Sequence, residues 1–126
     1  MVGAQFFEGA GLRDMGRLHF MNWPVASGAR DPLNPWQLLK STVSAEDFVV
    51  VKLDIDTPSV ELELIDQLIA DPELHGLVDV FYFEHHVYIH DFEWCWGRTF
   101  APQTLRDSYA IFDSLRRLGI AAHSWP

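Results

Sequence analysis

The stretch from Phe48 to Glu61 reads FVVVKLDIDTPSVE, and its order of residue types fits a strand that runs through a tight turn into a helix. Phe48, Val49, Val50 and Val51 form a continuous apolar, mostly β-branched run, the pattern of a strand covered on both faces. Lys52, Asp54 and Asp56 then alternate with Leu53 and Ile55, so the three charged side chains leave one face of the strand's carboxyl end. Thr57 and Pro58 supply an N-cap and a proline at the first helical position. Glu61 and Glu63 follow early in the helix, where carboxylates complement its dipole. In open α/β sheets, ligands bind in the crevice outside the carboxyl ends of the strands. Asp54 and Asp56, with Lys52 as countercharge, are therefore the first candidate site.

The helix carries Val60, Leu64 and Leu68 on one stripe, with Ile65 and Ile69 beside it, and stops near Asp71-Pro72. A second apolar strand, Leu77 to Phe83, ends in Glu84-His85-His86. This order predicts a parallel, adjacent pair of strands at 48–54 and 78–84 joined by a helix at 58–70. Thr104 caps a further helix to Leu118, with Asp107 at the capping-box position and Gly119 as its stop. Leu105, Tyr109, Phe112 and Leu115 are its expected buried stripe, and Ile120 to Trp125 is a last short strand.

Upstream, Arg17 to Val25 (RLHFMNWPV) reads as a strand that ends at Pro24 or lies at an edge. Residues 26–35 are loop by composition, and Asn34 with Pro35 opens a short helix to Lys40. Residues 1–16 hold Gly3, Gly9, Gly11 and Gly16 without a clear period and read as irregular. Their EGAG is not a dinucleotide fingerprint, because Asp14 stands where the third glycine would be needed. Val87 to Phe100 alternates aromatic and polar residues and reads as an ordered loop over the strand ends. The expected fold class is α/β, a partial Rossmann-like sheet, mainly parallel, with flanking helices. It forms a single domain over 1–126, with an α/β body at 17–126.

Composition narrows the function classes. A chain of 126 residues with 48% hydrophobic content can bury a core. A formal charge of −9 argues against nucleic acid and against an anionic membrane surface, since both attract Lys and Arg. No apolar run approaches the roughly 20 residues of a membrane span. No basic region followed by an apolar stretch marks a secretory signal. Cys95 is the only cysteine, so no intrachain disulfide forms, and it has no CxxC partner. The expectation is a soluble, intracellular, cytoplasmic domain acting on a small molecule.

Asp54 and Asp56 are hard oxygen ligands for a divalent metal, or an acid/base pair. The competing structural role is plainer, with Asp56 helping to cap the helix and Asp54 pairing with Lys52. Glu84 and His86 share one face of the neighbouring strand end and His85 takes the other. Carboxylates with imidazole suit a metal ion or a general base, so Asp54, Asp56, Glu84 and His86 are the candidate metal ligands. Their alternative is a set of polar residues hydrogen-bonded at a strand terminus. His90, Asp91, Trp94, Trp96 and Phe100 could line a flat organic ligand or fasten a long loop. His19, His75 and His123 are isolated and read as structural.

At VVVKLDIDTPSVE, followed by VDVFYFEHHV, the chain resembles FkbM-type S-adenosylmethionine-dependent methyltransferases. That family has a strand of the form K-[IL]-D-[IV]-E-G-x-E, then a helix and a strand with an acidic or histidine-containing tip. Lys52 and Asp54 match directly. Asp56 stands at the family's Glu, Thr57 replaces its Gly, and the following Glu is displaced to Glu61. RLHFMNWPVAS is similar to the family's strand before its variable loop, and SYAIFDSLRRLGI to its next helix and strand. The resemblance implies S-adenosylmethionine as cofactor and Lys52, Asp54, Asp56 and Glu84 as residues on the acceptor side of the catalytic site.

The family's glycine-rich first strand–turn and its ribose-binding carboxylate have no counterpart here. The resemblance thus implies the C-terminal half of a methyltransferase domain, completed by oligomerisation or by a missing N-terminal half. Hydrogen bonds to charged groups are each worth about 1.5–3 kcal/mol, so losing two or three weakens cofactor binding by roughly two to six decades. Two alternatives stand beside this reading. An apolar strand ending in D-x-D also resembles metal-dependent hydrolases of the haloacid-dehalogenase kind, although Pro58 occupies the position of their small hydroxyl residue. The other, ranked after the hydrolase, is a non-catalytic partner or remnant domain.

Overall fold

The computed structural model describes residues 19–87 and 103–125. The readings placed on residues 1–18 and 88–102, including His90, Asp91, Trp94, Cys95, Trp96 and Phe100, lie outside the described residues. The elements are α1 (Pro35–Thr42), β1 (Val50–Leu53), α2 (Pro58–Ala70), α3 (Pro72–His75), β2 (Val80–Phe83), α4 (Leu105–Arg117) and β3 (Ala121–Ser124). The three strands form one parallel sheet in the order β1-β2-β3, with β2 in the centre. Lys52, Tyr82 and His123 stand on one rung, and Leu53, Phe83 and Ser124 on the next. The expected parallel βαβ unit is present, and the carboxyl ends of all three strands reach the same edge.

Alternation sets the two faces. Leu53, Phe81, Phe83 and Ala122 point into a core completed by Leu64, Ile65 and Leu68 of α2 and by Phe112 and Leu115 of α4. Val50, Lys52, Ala121 and His123 point the other way and are exposed. The expectation that β1 is covered on both faces is therefore corrected, since Phe48 is 75% and Val50 54% exposed. Leu53 alone of the four β1 residues is fully buried. Parallel sheets normally have both faces covered, but among the described residues the helices serve one side of a three-stranded sheet.

The helix ends follow local chemistry. Asn34 caps α1 by accepting from the Trp36 N–H at 2.8 Å, and the Trp36 indole donates to the Leu64 carbonyl at 2.9 Å, fastening α1 to α2. Thr104 and Asp107 complete the capping box of α4. Its other end closes through Gly119 at φ +94, with Gly119 N–H donating to Arg116 and Ile120 N–H to Leu115. That double bond pattern, with buried Leu115 against buried Ile120, is the Schellman arrangement.

Three further expectations are corrected. Residues 19–25 form no strand; the expected stop of α2 at Asp71 holds, and α3 follows it, the Asp71 carboxylate accepting from the Glu73 and Leu74 N–H groups. Leu105 and Tyr109 lie 55% and 72% exposed, so only the C-terminal half of the α4 stripe is buried. Thr57 occupies the cap position of α2 without a side-chain cap bond; its hydroxyl donates to the Ile55 carbonyl at 3.2 Å instead.

Candidate functional site at the carboxyl ends of the first two strands

Beyond Leu53 the ladder continues for one step, with Glu84 N–H donating to the Leu53 carbonyl at 3.2 Å and Trp125 N–H to Phe83 at 2.9 Å. Strand alternation then places Asp54, Glu84 and Trp125 on the open face, next to Lys52, Tyr82 and His123. Lys52 Nζ lies 2.6 Å from Asp54 Oδ2 and 4.4 Å from the centre of the Trp125 ring. Tyr82 stacks on His123 at 5.4 Å and meets Trp125 edge-on at 5.8 Å. Trp125 was not singled out by the sequence, although the shared parity of Ala121, His123 and Trp125 already aligns it with this face.

The turn after β1 is built around Asp56 and Glu61. Asp56 takes φ +53, a left-handed conformation that Asp tolerates better than most side chains. Glu61, 1% exposed, accepts from the Ile55 N–H at 2.9 Å and holds the turn against the first turn of α2. Glu61 stands in the first turn of α2, as expected, and adds to that place a buried bond that the sequence does not show. Glu63 instead accepts from the Ser27 hydroxyl. Burial pushes the Glu61 carboxyl up from its ordinary range, against the Ile55 hydrogen bond, which lowers it.

The turn brings Asp56 to the end of β2. His86 Nε2 donates to Asp56 Oδ1 at 3.1 Å, and one ligand atom each of Asp56, Glu84 and His86 lies within 4.8 Å of the others. The His86 side chain is 7% exposed and that of Asp56 70%, so a buried imidazole faces an open carboxylate. Asp54 stands outside that trio. Its hydrogen bond to Lys52, and then its bond with Glu84, hold its carboxyl below the usual range. The same contact with Asp54, aided by burial, raises Glu84. All five nominated residues, Lys52, Asp54, Asp56, Glu84 and His86, thus belong to one connected cluster.

His85 takes the opposite face, stacked on Phe83 at 5.1 Å. Neither of its ring nitrogens has a hydrogen-bond partner at bonding geometry, and burial lowers its pKa despite the opposing influence of Gln103 and Asp107. His123 stacks in the aromatic row, and His75 closes α3 with a buried, unpartnered Nδ1. A separate concavity of about 400 Å³, lined by Trp36, Lys40, Gln67 and Asp71 among others, opens at the other end of α2. It collects no set of convergent acids and imidazoles, and Lys40 is held there by Asp71 at 2.5 Å and Glu73 at 3.0 Å.

The described residues do not fit S-adenosylmethionine by themselves. Gly28 precedes α1, Gly76 precedes β2 and Gly119 precedes β3, so no described glycine follows a strand's carboxyl end. The fold and the cluster define an α/β protein with a short parallel sheet and an acid–imidazole crevice at its carboxyl edge. Comparison with family models, with curated proteins and with solved structures finds no match in any of the three. No helix among the described residues is long and apolar enough to cross a membrane.

Proposed function

We propose that this chain is a methyltransferase-like domain, related to FkbM-type S-adenosylmethionine-dependent enzymes, whose crevice residues serve the acceptor side of the site. The observation that supports this best is the parallel β1-α2-β2 unit with Lys52, Asp54 and Asp56 at one strand end and Glu84 and His86 at the next. Lys52 and the bond with Glu84 lower the Asp54 carboxyl, and the same contact raises Glu84, so the two neighbouring carboxyls differ in proton affinity. Such a pair suits removal of a proton from an acceptor hydroxyl or amine. The hydrolase reading is less well supported. It needs Asp54 as a nucleophile beside a metal, whereas Asp54 is engaged by Lys52 and lies outside the trio that converges. Among the described residues no helix covers the face that carries Val50, which favours completion by a second copy or by a missing N-terminal half.

Calorimetric titration of the purified chain with S-adenosylmethionine tests the reading. The expected outcome is saturable binding in the low millimolar range, at best about 1 mM or about −4 kcal/mol, and no methyl transfer. A micromolar constant would show a complete cofactor site. Absence of saturable heat well above millimolar ligand would remove the relation to methyltransferases.

A further inference from the structure

We propose that Asp56, Glu84 and His86 bind one divalent transition-metal ion of the Mn²⁺ or Zn²⁺ class, with Asp54 orienting Glu84 from outside. Two carboxylates and one imidazole form a mixed oxygen–nitrogen set, which suits these ions better than the all-oxygen sites of calcium. Two ligands about 2.1 Å from one ion stand about 3.0 Å apart at right angles and about 3.4 Å apart in a tetrahedron. Asp56 Oδ1 and His86 Nε2 are already 3.1 Å apart, and the whole trio fits within 4.8 Å. Small movements of the exposed Asp56 and of Glu84 close the set.

Two other observations point the same way. The imidazole is a buried side chain, 7% exposed, aimed at a carboxylate that is open to solvent. A rigid nitrogen ligand with a flexible oxygen ligand leaves an ion a path in. Among the described residues the carboxylates at the crevice also outnumber the lysines and arginines that pair with them. Lys52 bonds Asp54, and among the described residues no lysine or arginine pairs with Asp56 or Glu84. An ion would compensate both carboxylates and occupy the position at His86 Nε2 that now faces Asp56, with the imidazole proton on Nδ1. The inference does not rest on methyl transfer: failure to bind S-adenosylmethionine leaves it intact.

The test is titration of the purified chain with MnCl₂. Electron paramagnetic resonance counts bound Mn²⁺, and amide spectra of ¹⁵N-labelled protein locate it by paramagnetic broadening. The expected result is one ion per chain, with resonances of 54–57 and 84–87 broadening first. Glu84→Gln and His86→Ala should each weaken binding at least about tenfold, since loss even of an outer partner commonly costs that much. Glu73→Gln, at an acid bonded to Lys40, should leave binding unchanged. Several weak ions, broadening spread over many acidic residues, or binding indifferent to Glu84→Gln would overturn the proposal. Where a variant loses its cooperative melt, the wild-type broadening pattern decides alone.

Discussion

His86 Nε2 and Asp56 Oδ1 meet at 3.1 Å across 30 positions of sequence, tying the turn after β1 to the segment after β2. The two partners differ sharply in burial, and their substitution should therefore differ in cost. His86→Ala removes a buried side chain and should cost about 1–3 kcal/mol. Asp56→Asn keeps an acceptor and tolerates the left-handed backbone, so it should stay within about 0.5 kcal/mol. Thermal melts of both variants check this, and equal losses would contradict it.

Glu61 makes a pH-dependent prediction. Burial raises its folded pKa above its ordinary value of 4.5, so the folded state holds the proton more tightly than the unfolded chain. Its ionisation therefore costs stability, and the cost sets in as pH rises through the folded pKa. Glu61→Gln keeps an acceptor for the Ile55 N–H without the charge. The variant should melt higher than wild type at pH 7, by about 2–5 °C if about 1 kcal/mol is recovered in a chain of this size. The difference should vanish below the ordinary value of 4.5. A destabilised variant at pH 7 would mean that the charge itself is needed there.

Gly119 holds φ +94 with open space where a Cβ would stand, so the penalty for alanine is one of backbone conformation alone. Gly119→Ala should cost about 1–2 kcal/mol, measured by urea denaturation. A neutral result would show that the α4 terminus relaxes to another geometry.

Two aromatic residues separate the core from the surface. Phe81, fully buried in the central strand, should cost about 3–5 kcal/mol on change to Ala. Tyr109→Ala should cost no more than about 0.5 kcal/mol, because its side chain is largely exposed. Denaturant midpoints of the pair check the assignment of the α4 stripe, and a large loss at Tyr109 would mean that something covers it.

The βαβ unit was legible because its signals are local. A β-branched run, a proline at the first helical position and apolar residues every third or fourth place each act over a few residues. The capping box of Thr104 and Asp107 and the stop at Gly119 were legible for the same reason. What depended on distant packing was not. A continuous apolar run reads alike whether one or both faces are covered, so the exposure of Val50 was hidden. Glu61 was legible as a first-turn carboxylate, but not its burial or its bond to Ile55, which exist only once the turn is formed. The meeting of Asp56 with His86 followed from the adjacency of β1 and β2, but the separation of Asp54 from the trio depended on the left-handed turn at Asp56, which no residue pattern announces.

The proposed ligand crevice lies between the ends of β1 and β2, and mapping by nuclear magnetic resonance tests that placement. A ¹⁵N-labelled chain would be titrated with S-adenosylmethionine into the millimolar range and the amide shifts followed. Saturable shifts are expected to concentrate at 54–57 and 84–87, with the concavity around Trp36, Lys40 and Asp71 unmoved. Shifts confined to that concavity, or scattered evenly over the chain, would contradict it.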